Sequence, residues 1–207
     1  MKVNIIGGHT DMIRMFVSKG FEVVKTIEEA ELIQFTGGAD VNPALYGQME
    51  HNSTFFNKER DFVDLRAFMF GMRNKVPMAG ICRGAQFLNV CNGGTMYQDV
   101  SNHTRGHNVL NLETEEEILC SSTHHQMMIP NLSEGELLGV VNPSMSNRKA
   151  VYKDQKFTLE TDSQMDCEVI FYEESQSICF QPHPEYMPHS GCEKWYFDLL
   201  ETKLGVS

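Results

Sequence analysis

The sequence predicts an α/β fold: a mostly parallel central sheet with helices on both faces and some antiparallel strands in the second half. Over roughly the first ninety residues, short β-rich runs alternate with helical patterns, which is typical of parallel strands joined by crossover helices. Short strands with polar, turn-rich connections then follow, and these favour antiparallel pairing. No internal repeat or Pro/Ser-rich linker marks a boundary, so residues 1–207 are expected to form one domain.

The strands of the first half are predicted from apolar runs that end in glycine or polar turn residues. These runs are 2–6, 21–24, 32–35 and 76–81. Apolar residues at three- and four-residue spacing predict helices at about 11–19 and 58–74, and a third helix is predicted at 84–90. The core-facing positions of the middle helix are expected to be Phe62, Leu65, Phe68, Met69 and Met72.

In the second half, strands are predicted at 108–112, 137–141, 151–152, 169–172 and 177–180, and a last helix at 193–204. This helix carries an aromatic face that includes Trp195, Tyr196 and Phe197. Such a face is expected to pack in the core or to form a homodimer contact rather than a ligand site.

The charge of the chain argues against two classes of partner. There are 28 Asp and Glu residues against 17 Lys and Arg, a formal net charge of -11, and the basic residues are scattered. Because an acidic surface repels nucleic acid and anionic membranes, neither is expected as a partner. The sequence shows no signal peptide or membrane span, and its six cysteines include no CxxC pair, so we expect reduced thiols in the cytoplasm.

The strongest local motif stands between the fourth predicted strand and the helix that follows. It reads Gly80-Ile81-Cys82-Arg83-Gly84, a G-x-C-x-G sequence with the form of a nucleophile elbow. Such a turn holds the nucleophile in a strained conformation at a helix N-terminus, whose partial positive charge favours a thiolate. Cys82 is therefore a candidate nucleophile, and the alternative is a core cysteine that happens to lie between glycines.

A cysteine nucleophile needs a base, and the base needs an acceptor that orients it. The sequence Gln-Pro-His-Pro-Glu at 181–185 follows a predicted strand and offers His183 and Glu185 for these roles. Active sites of α/β enzymes collect at strand ends, so Cys82 and His183 can meet at one edge of the sheet. Taken alone, the His-Pro-Glu segment is more typical of a surface turn.

The glycine pair Gly37-Gly38 follows the third predicted strand and can turn backbone N–H groups toward a developing oxyanion, with the N–H of Arg83 as second donor. A phosphate loop is the rival interpretation. Neither G-x-x-x-x-G-K-[ST] nor G-x-G-x-x-G is present, so no nucleotide cofactor is expected. No metal is expected either, because the histidine spacing fits no zinc motif. These histidines are His103, His107, His124, His125, His183 and His189.

Five blocks of sequence stand in the order of a known family: 37–43 with Tyr46-Gly47, Arg60-Asp61, 80–99, 122–126 and 181–185. They resemble the class I glutamine amidotransferase-like superfamily. More narrowly, they are similar to its peptidase C26 branch of γ-glutamyl hydrolases, which includes the γ-glutamyl-γ-aminobutyrate hydrolases. The blocks span about three quarters of the chain, so the resemblance is far more specific than any single motif.

The resemblance implies a flavodoxin-like sandwich with Cys82 as nucleophile, His183 as general base and then acid, and Glu185 holding His183. It implies an oxyanion hole from the backbone of Gly38 and Arg83. The residues implied for a γ-glutamyl pocket are Gly37, Gln86, Ser122, Thr123, His124 and His125. The chain also departs from the family, because Asp64 stands where an acidic residue one methylene longer is usual, and this change is expected at the rim where the leaving group would sit.

The implied activity is cleavage of a γ-glutamyl amide through a glutamyl thioester, which releases glutamate and an amine. The expected substrate is glutamine or a γ-glutamyl amine. One alternative is a glutaminase subunit that passes ammonia to a separate synthetase or ligase. A less favoured alternative is a binding member of the fold without catalytic activity.

Overall fold

The computed structural model describes residues 1–161 and 164–206, in which it contains fourteen strands and four α-helices. The strands are β1 (Lys2–Ile6), β2 (Glu22–Val24), β3 (Leu32–Phe35), β4 (Met78–Ile81), β5 (Thr95–Tyr97), β6 (Asp99–Val100), β7 (His107–Asn111), β8 (Glu117–Cys120), β9 (Met127–Ile129), β10 (Gly135–Val141), β11 (Lys149–Lys153), β12 (Lys156–Glu160), β13 (Asp166–Tyr172) and β14 (Ser177–Phe180). The helices are α1 (Thr10–Ser18), α2 (Lys58–Asn74), α3 (Arg83–Cys91) and α4 (Gly191–Leu204), and short 3₁₀ turns lie at Ile27–Glu29, Pro43–Tyr46 and Pro184–Tyr186.

Nine strands form the central sheet in the order β2-β1-β3-β4-β14-β13-β10-β7-β8. The five strands from β2 to β14 run parallel, and the rest of the sheet is antiparallel. In the register of the central pair, Ile81 of β4 lies opposite Phe180 of β14. The two strands therefore end level, and the residues that follow them leave the sheet at the same edge.

Two apolar cores cover the two faces of this sheet. Helices α1 and α4 pack on one face, where Phe16 and Trp195 are buried. Helices α2 and α3 pack on the other, where Ala67 and Phe87 are buried. The predicted three-layer α/β sandwich, with parallel strands first and antiparallel strands later, is confirmed. Within the described ranges, no helix is both long enough and apolar enough to cross a bilayer.

The predicted strands and helices all occur, with ends displaced by three residues or fewer. Five short strands were not predicted: β5, β6, β8, β9 and β12. Of these, β5 pairs with β9, and β6 and β12 flank β11 in a separate three-stranded sheet. These two small sheets are separate from the central sheet, and their first strands, β5 and β6, directly follow α3 in the chain.

The prediction of the core-facing side of α2 was right for Leu65 and Phe68, which pack against the core, and wrong for Phe62, Met69 and Met72. Phe62 and Met69 are 61% and 68% exposed, whereas Asp61 and Asp64 are buried. The reason is that the buried acidic residues pair with arginines beneath the Gly37-Gly38 loop, so ion pairing outweighs hydropathy on this helix.

Candidate active site

Cys82 occupies a strained turn between β4 and α3. Its φ of 53° and ψ of -113° lie outside the regions that non-glycine residues ordinarily adopt. A Cβ added to Gly80 would lie 2.3 Å from the carbonyl carbon of Gly84, and one added to Gly84 would lie 2.4 Å from the carbonyl oxygen of Phe35. Both glycines are therefore required by close backbone contacts.

His183 and Glu185 follow β14 and lie next to this turn. Nδ1 of His183 is 2.7 Å from Oε1 of Glu185, and its ring also interacts with the Cys82 side chain. Burial lowers the pKa of His183, but the hydrogen bonds to Cys82 and Glu185 outweigh it and raise the pKa to about 10. The structure thus brings together the three side chains predicted to form a triad, and it favours an imidazolium beside the sulfur at neutral pH.

Two neighbours fix the orientation of His183. The ring of Tyr186 stacks on the imidazole, with centroids 4.6 Å apart and planes inclined by 13°. The hydroxyl of Ser121 forms hydrogen bonds to both backbone polar groups of His183. Neither residue was predicted, because nothing in the sequence near them signals a contact with His183.

The Gly37-Gly38 loop lies against the same two side chains. A Cβ on Gly37 would lie 3.0 Å from Cε1 of His183 and 3.7 Å from Cβ of Cys82, so a larger residue here would press on the His183 ring. Gly38 has a φ of 147°, which glycine adopts far more readily than other residues. The N–H of Arg83 belongs to the first turn of α3, where amides have no intrahelical acceptor. Gly38 and Arg83 both line the cavity beside Cys82.

A buried ion cluster supports this loop from beneath. The guanidinium of Arg83 pairs with Asp61 and Asp64 and donates from Nε to the carbonyl of Ala39 at 3.1 Å. Arg60 binds Asp64 at 2.9 Å and donates to the carbonyl of Thr36 at 3.2 Å. The arginines therefore connect α2 to both ends of the glycine loop.

The ion cluster corrects the expectation for Asp64. Its side chain is completely buried behind the loop, between Arg60 and Arg83. Asp64 therefore contacts the two arginines that support the Gly37-Gly38 loop, and it does not line the cavity beside Cys82.

A cavity of about 200 Å³ opens beside Cys82. Its wall includes most of the residues implied for the pocket, and others that were not predicted. Lining residues are Gly38, Ala39, Asp40, Phe55, Cys82, Arg83, Gln86, Thr123, His124, His125 and Gln126. Ser122 is the exception among the implied residues of this segment: it is buried, and its hydroxyl donates to the carbonyl of His103.

The cavity wall carries one pair of opposite charge. Nε2 of His125 is 3.1 Å from Oδ1 of Asp40, and the side chain of His125 is 41% exposed. The hydrogen bond to Asp40 raises the pKa of His125. Gln86 is buried and donates to the carbonyl of Gln126 and to Oε1 of Gln181, both at 3.2 Å. The wall can present both a carboxylate and an imidazolium to a ligand.

A larger depression, of about 300 Å³, lies behind Glu185 between α1 and the start of α4. Asp11, Arg14 and Glu193 are among its lining residues, and Cys82 is not. Of these two cavities only the smaller one is lined by Cys82, so a substrate that reacts with Cys82 would bind there.

Comparisons with known proteins identify the family of the chain. The peptidase C26 family model matches residues 3–157. A glutamine amidotransferase-like protein of Lactococcus lactis subsp. cremoris, the YvdE homolog, is 36% identical over 119 residues, which are 57% of this chain and 61% of the relative. The YvdE protein of Lactococcus lactis subsp. lactis is 37% identical over 120 residues, 57% of this chain and 49% of the relative. The matches thus span less than two thirds of these relatives.

Solved structures share the fold at low sequence identity. A glutamine amidotransferase from Thermotoga maritima superposes with a TM-score of 0.56 at 14% identity, covering 99% of this chain and 85% of the other. The glutaminase domain of Trypanosoma brucei CTPS with bound acivicin superposes with a TM-score of 0.61 at 11% identity, covering 100% and 95%. These neighbours have the flavodoxin-like fold of class I glutamine amidotransferases. With the family match over residues 3–157, the chain belongs to the peptidase C26 family.

Proposed function

We propose that the chain is a cysteine-dependent hydrolase that cleaves a γ-glutamyl amide bond and releases glutamate and an amine. The observation that carries this proposal is the meeting of Cys82, held in a strained turn, with His183 and Glu185 beside a small cavity. Cysteine, base and orienting carboxylate are the three groups that thioester chemistry requires.

In the proposed reaction, the sulfur of Cys82 attacks the γ-carbonyl carbon, and the carbonyl electrons move onto oxygen. The N–H groups of Gly38 and Arg83 stabilise this oxyanion. Protonated His183 gives its Nε2 proton to the departing nitrogen as the carbon–nitrogen bond breaks, which leaves a thioester on Cys82. Neutral His183 then takes a proton from water, whose oxygen attacks the thioester, and glutamate leaves as the carbon–sulfur bond breaks.

The cavity supports a glutamyl group as the acyl part of the substrate. A volume of about 200 Å³ suits a small, polar ligand better than a long peptide. Asp40 can pair with the α-ammonium group, and protonated His125 can pair with the α-carboxylate. The side-chain amide of Gln86 and the hydroxyl of Thr123 add hydrogen-bonding capacity at the same wall. Gly37 contributes space beside His183 rather than a contact.

The second candidate function is that of a glutaminase that supplies ammonia to a separate synthetase or ligase. It is favoured by two structural neighbours: the CTPS glutaminase domain, and a GMP synthase subunit structure from Thermoplasma acidophilum, with a TM-score of 0.59 at 13% identity. The two functions share every step above and differ in the departing amine, which is ammonia for the glutaminase. We also propose a reducing environment such as the cytoplasm, because all six cysteines, each within the described ranges, are free thiols and Cys82 must remain one.

The test is glutamate release by the purified protein from glutamine and from a series of γ-glutamyl amines. Release should occur with at least one substrate and should be lost in Cys82→Ala. Cys91→Ala is the matched control, because it removes a half-buried free thiol at the other end of the same helix. Equal rates for wild type and Cys82→Ala, or no release from any substrate, would overturn the proposal. A strong preference for glutamine would select the glutaminase, and a preference for larger amines would select the free-standing hydrolase.

A further inference from the structure

A second cluster of reactive side chains is buried behind the cavity wall, and the proposed reaction does not use it. Three histidine nitrogens surround one carboxylate oxygen, Oε1 of Glu168. Nδ1 of His103 lies 3.2 Å from this oxygen, Nε2 of His107 lies 3.3 Å away, and Nε2 of His124 lies 3.6 Å away. Glu168 and His103 are completely buried. The cluster joins β7, β13 and the two loops that carry His103 and His124.

In each of the three rings, the other nitrogen faces a hydrogen-bond acceptor. Nε2 of His103 lies 3.0 Å from Oδ2 of Asp166, a buried carboxylate that also binds Lys149 at 2.5 Å. Nδ1 of His124 lies 2.7 Å from the carbonyl of Gln126. For His107, Nδ1 lies 3.1 Å from the carbonyl of Arg105. Because a carbonyl or carboxylate accepts only, each of these outer nitrogens carries the proton.

A neutral imidazole with its proton on the outer nitrogen has a lone pair on the inner one. All three inner nitrogens would then bring a lone pair to within 3.6 Å of Oε1 of Glu168, which is also an acceptor. Among the described residues, neither the three inner nitrogens nor the two carboxylate oxygens of Glu168 make an aligned hydrogen bond. Buried polar atoms without partners are costly, and four groups of acceptor character around one point are relieved by protons on the imidazoles or by a metal cation between them.

The spacing fits a metal ion of the zinc type. Tetrahedral zinc with bonds of about 2.0–2.1 Å places its ligand atoms roughly 3.3 Å apart. The ligand atoms of His103, His107 and Glu168 all lie within 4.8 Å of one another, and the distances to Oε1 are close to the tetrahedral value. Imidazole ligands whose second nitrogen binds a carboxylate or carbonyl are the usual outer-shell arrangement of such sites.

We propose that His103, His107, His124 and Glu168 form a structural zinc-type site. The sequence predicted no metal, because motifs detect only short spacings and these ligands come from three separate stretches of the chain: 103–107, 124 and 168. With four protein ligands the site is closed, so its role is to hold the wall of the cavity through His124 rather than to activate water.

The test measures metal content and does not depend on the proposed function. Tag-free protein is stripped with chelator, incubated with zinc, freed of excess metal and measured by elemental analysis. The Cys82→Ala variant is measured in parallel, so that zinc bound by the thiolate and His183 is not counted. We expect about one zinc per chain in both proteins, and an intense visible absorption typical of four-coordinate cobalt when Co²⁺ replaces zinc.

Two variants locate the ion. His107→Gln and Glu168→Gln should each lower zinc content at least tenfold, whereas His189→Asn, which removes an exposed histidine outside the cluster, should leave it unchanged. Zinc should also raise the melting temperature of the wild type by several degrees, and this shift should be absent in His107→Gln. If the wild type binds no stoichiometric zinc or cobalt, or binds it equally well in His107→Gln, the proposal is wrong and the cluster is one of protonated histidines around Glu168. The His107 variant and the wild type decide the question even if Glu168→Gln fails to fold.

Discussion

Ser121 binds the backbone of His183 on both sides. Its Oγ accepts the His183 N–H at 3.0 Å and donates to the His183 carbonyl at 2.7 Å. Ser121 stands between β8 and the segment that lines the cavity, so one hydroxyl ties the proposed base to the proposed substrate pocket. Its removal should move His183 relative to Cys82 without removing any reacting group.

We therefore expect Ser121→Ala to lower kcat for glutamate release by roughly ten- to a hundredfold, with a smaller effect on KM, since misplacement of a catalytic group slows the chemical step. Steady-state kinetics with the best substrate measures this. Ser18→Ala is the control, because the hydroxyl of Ser18 also donates to a backbone carbonyl at 2.7 Å but lies on the exposed side of α1. Equal kcat in the Ser121 variant and the wild type would show that Tyr186 and Glu185 suffice to hold the ring.

Gly84→Ala should destabilise the fold by about 3 kcal/mol or more, because the new Cβ would meet the carbonyl oxygen of Phe35 at 2.4 Å and backbone must move. Urea unfolding followed by circular dichroism gives the free energy. Gly191→Ala also adds a methyl group at the start of a helix, but the nearest contact is an ordinary 3.5 Å to Ile118. A small and similar change in both variants would mean that the elbow can relax.

Glu185→Gln should lower the pKa of His183 by about 1 to 3, because it removes the negative partner of Nδ1. In the wild type this pKa lies near 10, above the ordinary 6.5. The stabilisation from charged His183 is thus fully present below about pH 6.5 and is lost as the pH rises through about 10. In the variant, the loss should occur at lower pH.

NMR titration of the His183 ring, assigned by comparison with His183→Gln, measures this shift. Glu22→Gln is the control, because it neutralises an exposed carboxylate on the edge strand β2. An unchanged His183 pKa in Glu185→Gln would assign the shift to Cys82 alone.

Asp64→Glu restores the side-chain length usual in the family, and we expect it to destabilise this chain by about 1–3 kcal/mol. The added methylene has no space, because Asp64 is completely buried between Arg60 and Arg83. Urea unfolding measures the change, and Asp198→Glu is the control, since Asp198 forms an exposed i,i+4 pair with Lys194. The preference among amine leaving groups should not change. A changed preference for the amine would show that Asp64 does influence the rim of the site, where the leaving group would bind.

The elbow and the main strands could be predicted from the sequence, because contacts close in the sequence or in neighbouring strands determine their structure. The elbow was predictable because the glycines around Cys82 meet backbone within a few residues or in the neighbouring strand. The main strands were predictable because they are buried and apolar. The five strands that were missed are two to five residues long, and several, such as β12, are largely exposed and gain their order from pairing with other strands.

The core-facing side of α2 and the cluster around Glu168 could not be predicted, because both depend on charged groups that meet residues distant in the sequence. Hydropathy placed Phe62 toward the core, but the need to bury Asp61 and Asp64 with Arg83 turned that face of α2 to solvent. The cluster around Glu168 was not predicted because His124 and Glu168 lie far from His103 and His107 in the sequence, and no motif joins these segments.

The position of β14 has a consequence for the synthesis of the protein. This strand lies in the middle of the sheet between β4 and β13, yet it is the last of the described strands to be translated. A nascent chain that ends before Ser177 leaves β4 as an unpaired edge and carries Cys82 without His183. Truncated or half-made chains should therefore be exposed to edge-to-edge association, and their thiol should stay unactivated until the segment from Ser177 onward inserts into the sheet.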